Sequence, residues 1–311
     1  HRSWADFGCL KNEAALEYEV FSMWATGAKC SIGDQLHPRG RLDRAAYDLI
    51  GKAYAHVEAC EPWCDGATPL TEIAAIRPLA GGYMLTPGDA SEGVVRALQP
   101  LGHQFDFIAA DADFAAYRLI IVTEAVEVGP TLAARLERFV QKGGAVLFAG
   151  AGGVTPAGRP VLAAQGLRAD GPSPFQTTYL RFDGPYAEGV ADADHVMYER
   201  GLRLRPATGA KGFVKVVVPY FDRTWEHFSS HAQTPPDKPS PYVAVVEKGR
   251  VATIAFPVFK AFATHGNLPY RHLIGLCLRR LLPEPLIRLE APSYVEVTAT
   301  GQSNRTIVHL L

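Results

Sequence analysis

The sequence predicts an α/β protein built around an open, doubly wound parallel sheet. Short apolar runs at residues 72–76, 104–109, 117–123 and 145–149 are typical of buried strands. Between them, residues 91–101 carry an apolar face at helical spacing, and a second helix begins at Pro130, where a missing N–H costs nothing. Strands that alternate with helices through short links must pair in parallel, which gives this fold class.

The first 64 residues repeat the alternation on a smaller scale. Residues 4–9 and 28–32 are predicted strands, and Asn12 and Asp43 are predicted caps of two helices. Two parallel strands alone leave open edges and an uncovered core. Polar residues also follow the ends of these predicted strands, and such residues are typical of the rim of a β/α barrel. We therefore expect residues 1–64 to be the remnant of a (β/α)8 barrel, with the rest of the barrel before His1.

The remaining chain falls into a middle domain and a C-terminal piece. A boundary at residues 61–66 opens the domain 65–285, which loses its periodicity in an insertion at about 150–212. Further strands are predicted at 214–218, 242–247 and 251–257, followed by a helix at 268–282. Residues 286–289, 294–300 and 306–310 predict a small all-β piece over 286–311.

Composition excludes several classes of protein. The 311 residues include 31 basic and 32 acidic side chains, so no basic face for nucleic acid is indicated. No apolar run approaches the ~20 residues of a membrane span, and residues 1–6 lack the apolar core of a signal peptide. Five scattered cysteines do not form a disulfide framework, and Cys60 and Cys64 lack a second ligand pair for zinc. We expect a cytoplasmic protein with neither nucleic acid nor membrane as a partner.

Polar residues near the N-terminus are the first candidate site. Asp34, Gln35 and His37 follow the predicted strand at 28–32, and their carboxylate, amide and imidazole can hydrogen-bond a polyhydroxylated ligand. Trp4 and Asp6 belong to the preceding strand and offer an aromatic face and a carboxylate for a sugar ring. The alternative interpretations are a loop in which Asp34 caps local backbone, and a Trp4 that is buried in the core.

The glycine-rich turn after the strand at 145–149 carries little chemistry. Gly150-Ala151-Gly152-Gly153 lacks the third glycine of a dinucleotide-binding loop, since Thr155 takes that position, and no Gly-Lys-Ser/Thr follows. The turn occupies the place of a nucleophile elbow, but it has Ala151 where Ser or Cys would stand. We therefore expect no cofactor and no nucleophilic catalysis in this domain.

A second candidate site lies in residues 219–236. Trp225, His227 and His231 stand in one long, aromatic-rich connection, and such loops often bind ligands. The alternative is a loop that packs against a neighbouring domain through its aromatic rings. The two histidines are four residues apart, a spacing that suits a metal only on a helix, so no metal site is expected.

Several segments resemble bacterial glycoside hydrolases that carry a β-galactosidase-type trimerisation domain. The similarity lies in Asp6-Phe7-Gly8, residues 11–27 and 29–40, Glu61-Pro62-Trp63, and residues 219–236, 256–259 and 281–292. Some of these relatives are described as α-L-fucosidase-like or β-galactosidase-like, and others are loosely labelled trehalose synthases. The resemblance implies the last two β/α units of a barrel, then a flavodoxin-like domain of class I amidotransferase type, then a small β domain.

The resemblance also implies a function. Such hydrolases use two carboxylates across the scissile bond, and here the catalytic residues stay unknown because the pair can lie before His1. We expect this chain to contribute sugar-binding residues and to form a homo-oligomer, a trimer or a dimer. The alternative is a non-catalytic oligomerisation or carbohydrate-binding module without turnover of its own. The candidate sugar-binding residues are Trp4, Asp6, Asp34, Gln35, His37, Trp225, His227 and His231.

Overall fold

The computed structural model describes residues 7–78 and 88–311. Six α-helices lie in these residues: α1 (Glu13–Ala25), α2 (Arg44–Cys64), α3 (Ala90–Leu98), α4 (Pro130–Gln141), α5 (Val258–His265) and α6 (Leu268–Leu281). Fourteen strands lie in the same residues: β1 (Thr68–Pro69), β2 (Ile73–Ile76), β3 (Phe105–Ile108), β4 (Leu119–Val122), β5 (Ala145–Ala149), β6 (Leu167–Pro172), β7 (Thr178–Arg181), β8 (Asp194–Met197), β9 (Leu202–Pro206), β10 (Lys211–Pro219), β11 (Pro236–Lys248), β12 (Val251–Ile254), β13 (Val297–Gln302) and β14 (Arg305–Leu310).

The chain divides into two compact units. The terminal unit consists of the described residues up to Leu70 together with Gly102–Gln104 and Ile287–Leu311, and the sheet unit consists of Thr71–Leu101 and Phe105–Leu286 without the undescribed residues. The C-terminal strands therefore share a unit with the first helices, because β13 pairs with β1 and β14 pairs with β13.

The sheet unit is built on a large mixed sheet. The strands β3-β2-β4-β5-β12 are parallel neighbours in that order, and the sheet then continues as antiparallel β11, β10, β7 and β8. Strand β9 also pairs with β11, and β6 pairs with β9. The prediction of an all-parallel sheet is therefore wrong for the second half. Only Gly249 and Arg250 separate β11 from β12, and a two-residue connection forces neighbouring strands to run antiparallel.

The parallel half carries helices on both faces, as predicted. Residues of β2, β4 and β5 alternate between two apolar clusters: Ile121 and Leu147 pack with α3, α5 and α6, whereas Ile120 and Val146 pack with α4. The sequence did not predict helix α5, whose eight residues lie between Pro257 and Gly266, because a segment of two turns shows too few repeats of the helical spacing. The irregular segment after residue 150 forms the short strands β6 to β9, which extend the same sheet.

The terminal unit has two packed helices and a three-stranded antiparallel sheet. Helices α1 and α2 begin at the predicted caps: Asn12 Oδ1 accepts from the Ala15 amide at 2.8 Å, and Asp43 Oδ1 accepts from the Ala45 amide at 3.0 Å. Helix α2 ends at Cys64, within the predicted boundary at residues 61–66, and Pro62 lies in its last turn.

Two predicted strands of this unit are wrong. Residues 28–32 form no strand, because no strand of the described residues lies beside them to complete a hydrogen-bonded ladder. Residues 286–289 form no strand either. Of the predicted strand 4–9, residues 7–9 lie in a turn and its continuation, and the earlier part falls outside the described residues.

Candidate functional site

The terminal unit contains a cavity of about 1020 Å³ beside α1 and the first turns of α2. The third wall is the segment 28–42, which we call the rim loop. Asp34, Gln35 and His37 all line this cavity, so the structure brings these three predicted residues together. Much of the remaining wall is apolar, with side chains of Leu16, Val20, Met23, Ala46, Leu49 and Ile50. A mostly apolar cavity with a few convergent polar groups is typical of a ligand site.

The rim loop is held by hydrogen bonds rather than by strand pairing. The Ala28 amide donates to the Met23 carbonyl at 2.9 Å, which attaches the loop to the end of α1. The Tyr54 hydroxyl of α2 donates to the Cys30 carbonyl at 3.4 Å and lies 3.5 Å from Cys30 Sγ. Its contact with the Cys30 side chain, together with burial, raises the pKa of Tyr54 above its ordinary value. The polar residues thus have defined positions although no strand carries them.

The hydrogen bonding of His37 defines which ring nitrogen faces a ligand. The Arg39 amide donates to His37 Nδ1 at 3.1 Å, so Nε2 carries the proton of the neutral ring. The ring of Phe7 meets the imidazole edge-on, with centroids 5.9 Å apart and an interplanar angle of 79°. His37 can therefore donate, the exposed Asp34 carboxylate can accept, and Gln35 can do both, which matches the mixed donor and acceptor character of sugar hydroxyls.

The structure adds charged residues that the sequence did not single out. Lys11 Nζ forms an ion pair with the Glu19 carboxylate, and both side chains line the cavity together with Arg41. Lys11 precedes α1 and Glu19 lies two turns into it, so no helical spacing indicated the pair. Trp4 and Asp6 lie outside the described residues, and their place in the site stays a prediction.

The second predicted set lies in the sheet unit, in residues 220–235, which we call the aromatic loop. Its tip is a tight turn in which the Thr224 amide donates to the His227 carbonyl at 2.7 Å. Trp225 is 87% exposed there and lines a shallow recess of about 420 Å³ with Arg223, Thr224 and Phe228. The Phe221 ring lies 6.3 Å from that of His227. Trp225 is thus presented to solvent by an ordered turn.

His227 and His231 lie four residues apart in the aromatic loop. Neither histidine is in a helix, and a spacing of four residues brings two histidines to one metal ion only on a helix. Across residues 7–78 and 88–311, no three His, Cys, Asp or Glu side chains are grouped so as to hold a metal ion. Within the same residues, no helix has the length and apolar character needed to cross a bilayer.

A buried carboxyl group lies at the carboxyl end of β4. Glu124 Oε1 accepts from the Lys260 amide in the first turn of α5 at 2.6 Å, whereas Oε2 is buried with no hydrogen-bond partner among the described residues. Burial raises the pKa of Glu124 to about 7, opposed by the amide bond and by the Lys260 ammonium group. Glu199 also faces this carboxyl group, and it contacts Lys260 at 3.9 Å and His265 at 3.3 Å.

The glycine turn after β5 packs beside Thr123 and Glu124 at the end of β4. A Cβ atom on Gly152 would lie 2.2 Å from the Thr123 carbonyl oxygen, and one on Gly150 would lie 3.1 Å from Glu124 Cβ. The glycines therefore permit close backbone packing between the ends of β4 and β5. This gives the turn a structural explanation, in agreement with its lack of a nucleophile or a phosphate-binding sequence.

Comparisons with known proteins identify the relatives of the chain. Residues 95–165 match the family model of the β-galactosidase trimerisation domain. The chain is similar over 99% of its length to α-L-fucosidase isoenzyme 2 from Paenibacillus thiaminolyticus, with 34% identity and a TM-score of 0.90. It spans 48% of that fucosidase, so about half of the relative has no counterpart here. No curated protein sequence gives a significant match.

Two β-galactosidases share the fold at lower identity. The enzyme from Rahnella sp. R3 has 16% identity and a TM-score of 0.66, over 99% of this chain and 47% of that chain. The enzyme from Bacillus circulans sp. alkalophilus has 14% identity and a TM-score of 0.61, over 88% of this chain and 40% of that chain. The predicted resemblance to glycoside hydrolases with a β-galactosidase-type trimerisation domain is confirmed.

Proposed function

We propose that this chain is the C-terminal part of a glycoside hydrolase that acts on O-glycosidic bonds, where it contributes sugar-binding residues and holds subunits together. The observation that carries the proposal is the similarity to an α-L-fucosidase, at 34% identity and a TM-score of 0.90 over 99% of the chain. A shared fold alone does not fix function. Here sequence identity accompanies the fold along nearly the whole chain.

The architecture that we propose follows the resemblance. Residues 1–64 would be the last two β/α units of a (β/α)8 barrel, supported by the packed helices α1 and α2 and by the polar rim loop. The sheet unit would be a flavodoxin-like domain of amidotransferase type without catalytic chemistry. Its doubly wound parallel half and the alanine at position 151 support this assignment.

In this proposal Asp34, Gln35 and His37 hold a sugar ring rather than cleave its bond. Each can form a hydrogen bond to a hydroxyl group, and the apolar wall of the cavity suits the C–H face of a sugar. Trp225 would stack on a sugar at a second surface, with His227 and His231 nearby in the same loop. Trp4 and Asp6 complete the proposed set on sequence grounds.

The test is steady-state kinetics of the full-length gene product with p-nitrophenyl α-L-fucoside and β-D-galactoside. Asp34→Asn and His37→Gln should each raise KM or lower kcat/KM by roughly tenfold or more, as expected for a hydrogen bond to a charged or strongly polar group. Asp48→Asn is the matched control, because Asp48 is exposed on α2 and does not line the cavity. Unchanged kinetics in both cavity variants would contradict the proposed role.

The homo-oligomer rests on the match of residues 95–165 to a trimerisation domain. A trimer or a dimer of this chain should be seen by light scattering at micromolar concentration. A monomer across the whole concentration range would exclude this part of the proposal and leave sugar binding untouched.

A second candidate is a module without turnover of its own, which assembles subunits or binds carbohydrate. Of the described carboxylates in the cavity, Glu19 is paired with Lys11 and Asp43 caps α2. Asp34 then remains, whereas a glycosidase of the usual kind needs two carboxylates. Turnover of either aryl glycoside by the 311-residue chain alone would refute this candidate, and heat of binding with fucose or galactose but no turnover would support it.

A further inference from the structure

Three arginines and a tyrosine share the outer face of the sheet unit at β6, β9 and β11. We call Arg168, Arg203, Arg205 and Tyr242 the arginine patch. Arg168 of β6 lies directly opposite Arg205 of β9 in the antiparallel register, and directly opposed residues project to the same face. Leu204, between the two arginines of β9, is fully buried. The alternation of the strand therefore turns Arg203 and Arg205 away from the core.

The patch is organised around the tyrosine ring and one carboxylate. The guanidinium carbons of Arg205 and Arg203 lie 4.5 Å and 5.6 Å from the centroid of the Tyr242 ring. Arg205 Nε donates to the Asp170 carboxylate at 3.0 Å, and Arg203 Nη2 donates to the Asp170 carbonyl. A bulge at Asp170 and Gly171, opposite Arg203, places Asp170 between the two guanidinium groups.

The charges of the patch are not balanced. Asp170 is the carboxylate that is paired within it, against three guanidinium groups. The proximity of Arg205 and Arg168 holds the pKa of Asp170 below its usual range, so it is ionised at neutral pH and the patch keeps an excess of two positive charges. Like charges directly opposite each other on a sheet are destabilising. In addition, Arg203 Nε is buried without a hydrogen-bond partner among the described residues.

We propose that the arginine patch binds a tetrahedral oxyanion, a sulfate or phosphate group. The guanidinium group presents fixed, fork-shaped donors that match such oxygens, and stacking on an aromatic ring orients it. An oxyanion on the patch would offset the repulsion between Arg168 and Arg205. The site is separate from the proposed sugar cavity, and the proposal does not depend on glycosidase activity.

The first test is anion-dependent stability of the full chain. Sodium sulfate should raise Tm in a saturable way relative to sodium chloride of the same ionic strength, because an ion that binds only the folded state stabilises it. Arg168→Gln should lose at least tenfold in sulfate affinity by calorimetric titration. It should also raise Tm in the absence of sulfate, since it removes a like-charge pair. If Arg168 had only a structural role, its removal would not raise Tm.

The control is Arg159→Gln, because Arg159 is exposed outside the patch and its side chain makes no hydrogen bond or ion pair with described residues. Arg205→Gln is the second patch variant and should also weaken sulfate binding. Equal sulfate affinity in Arg168→Gln and Arg159→Gln, or no saturable binding to the unsubstituted protein, would overturn the proposal. Titration with galactose 6-sulfate and galactose 6-phosphate separates the sources: tighter binding than the inorganic ion indicates an ester, and equal binding indicates a free ion.

Discussion

Replacing Glu124 by Gln should make the protein more stable at pH 8 and leave its stability nearly unchanged at pH 4.5. The carboxyl group accepts from the Lys260 amide through Oε1, and Oε2 is buried without a partner among the described residues. An amide keeps the acceptor and the shape but cannot ionise. The substitution therefore removes a buried negative charge and leaves the contact to α5 in place.

The magnitude follows from the pKa of Glu124. Folding raises this pKa from 4.5 to about 7, so between these values the folded protein binds more protons than the unfolded chain. The free energy of unfolding of the native protein consequently falls as pH rises through this window and levels off above pH 7. At roughly 1.4 kcal/mol per pKa unit, the full difference is at most about 3 to 4 kcal/mol. Glu124→Gln should recover that amount at pH 8.

The assay is urea unfolding followed by circular dichroism at pH 4.5, 5, 6, 7 and 8, with the difference between variant and native protein taken at each pH. Glu127→Gln is the matched control for the change of charge, because Glu127 is an exposed residue of the same connection. Lys260→Met should enlarge the effect, since the Lys260 ammonium group favours the ionised carboxyl group. A difference for Glu124→Gln that stays constant from pH 5 to pH 8 would refute the reasoning.

Three further predictions concern packing, capping and exposure. Gly93→Ala should destabilise the sheet unit by about 3 kcal/mol or more in urea unfolding, because the new Cβ would lie 2.0 Å from the Phe259 carbonyl oxygen. Its control is Gly51→Ala, which should stabilise the protein by about 1 kcal/mol because a Cβ there lies in open space on α2. Asn12→Ala should cost about 1 kcal/mol by loss of the α1 cap, whereas Asn12→Ser should cost little; equal losses would exclude a capping role. Trp225→Ala should leave Tm within about 1 °C, because the ring is 87% exposed, and a large loss would show that the ring packs in the structure.

The sequence correctly predicted those helices and strands that depend on residues close together in the chain. Pro130 marked the start of α4, the apolar run at 145–149 coincides with β5, and Asn12 and Asp43 cap the helices that they were expected to cap. Each of these features depends on residues within one turn or one strand. The candidate residues Asp34, Gln35 and His37 were found in the same way, from polar side chains that follow an apolar run.

Features that depend on distant contacts could not be predicted. The segment 28–32 has the composition of a strand, but strand formation requires a neighbour that composition does not reveal. Glu124 looked like any loop carboxylate, and its raised pKa comes from enclosure against an α5 amide 136 residues away in sequence. The sequence did not predict the arginine patch, because Arg168 and Arg205 become neighbours only when β6 and β9 pair in the folded sheet.

The pairing of β5 with β12 has a consequence for the order of folding. Val146 lies beside Val251 in the parallel register, although roughly a hundred residues separate them in the chain. Closing a loop of that length costs about 4 kcal/mol of chain entropy before any contact repays it. The hairpins that join β10, β11 and β12 close much shorter loops, so they should form first. Strand β5 can then pair with a β12 that is already in place. Substitutions that weaken the β11–β12 hairpin should therefore slow the assembly of the parallel strands β2 to β5, which share no residue with it.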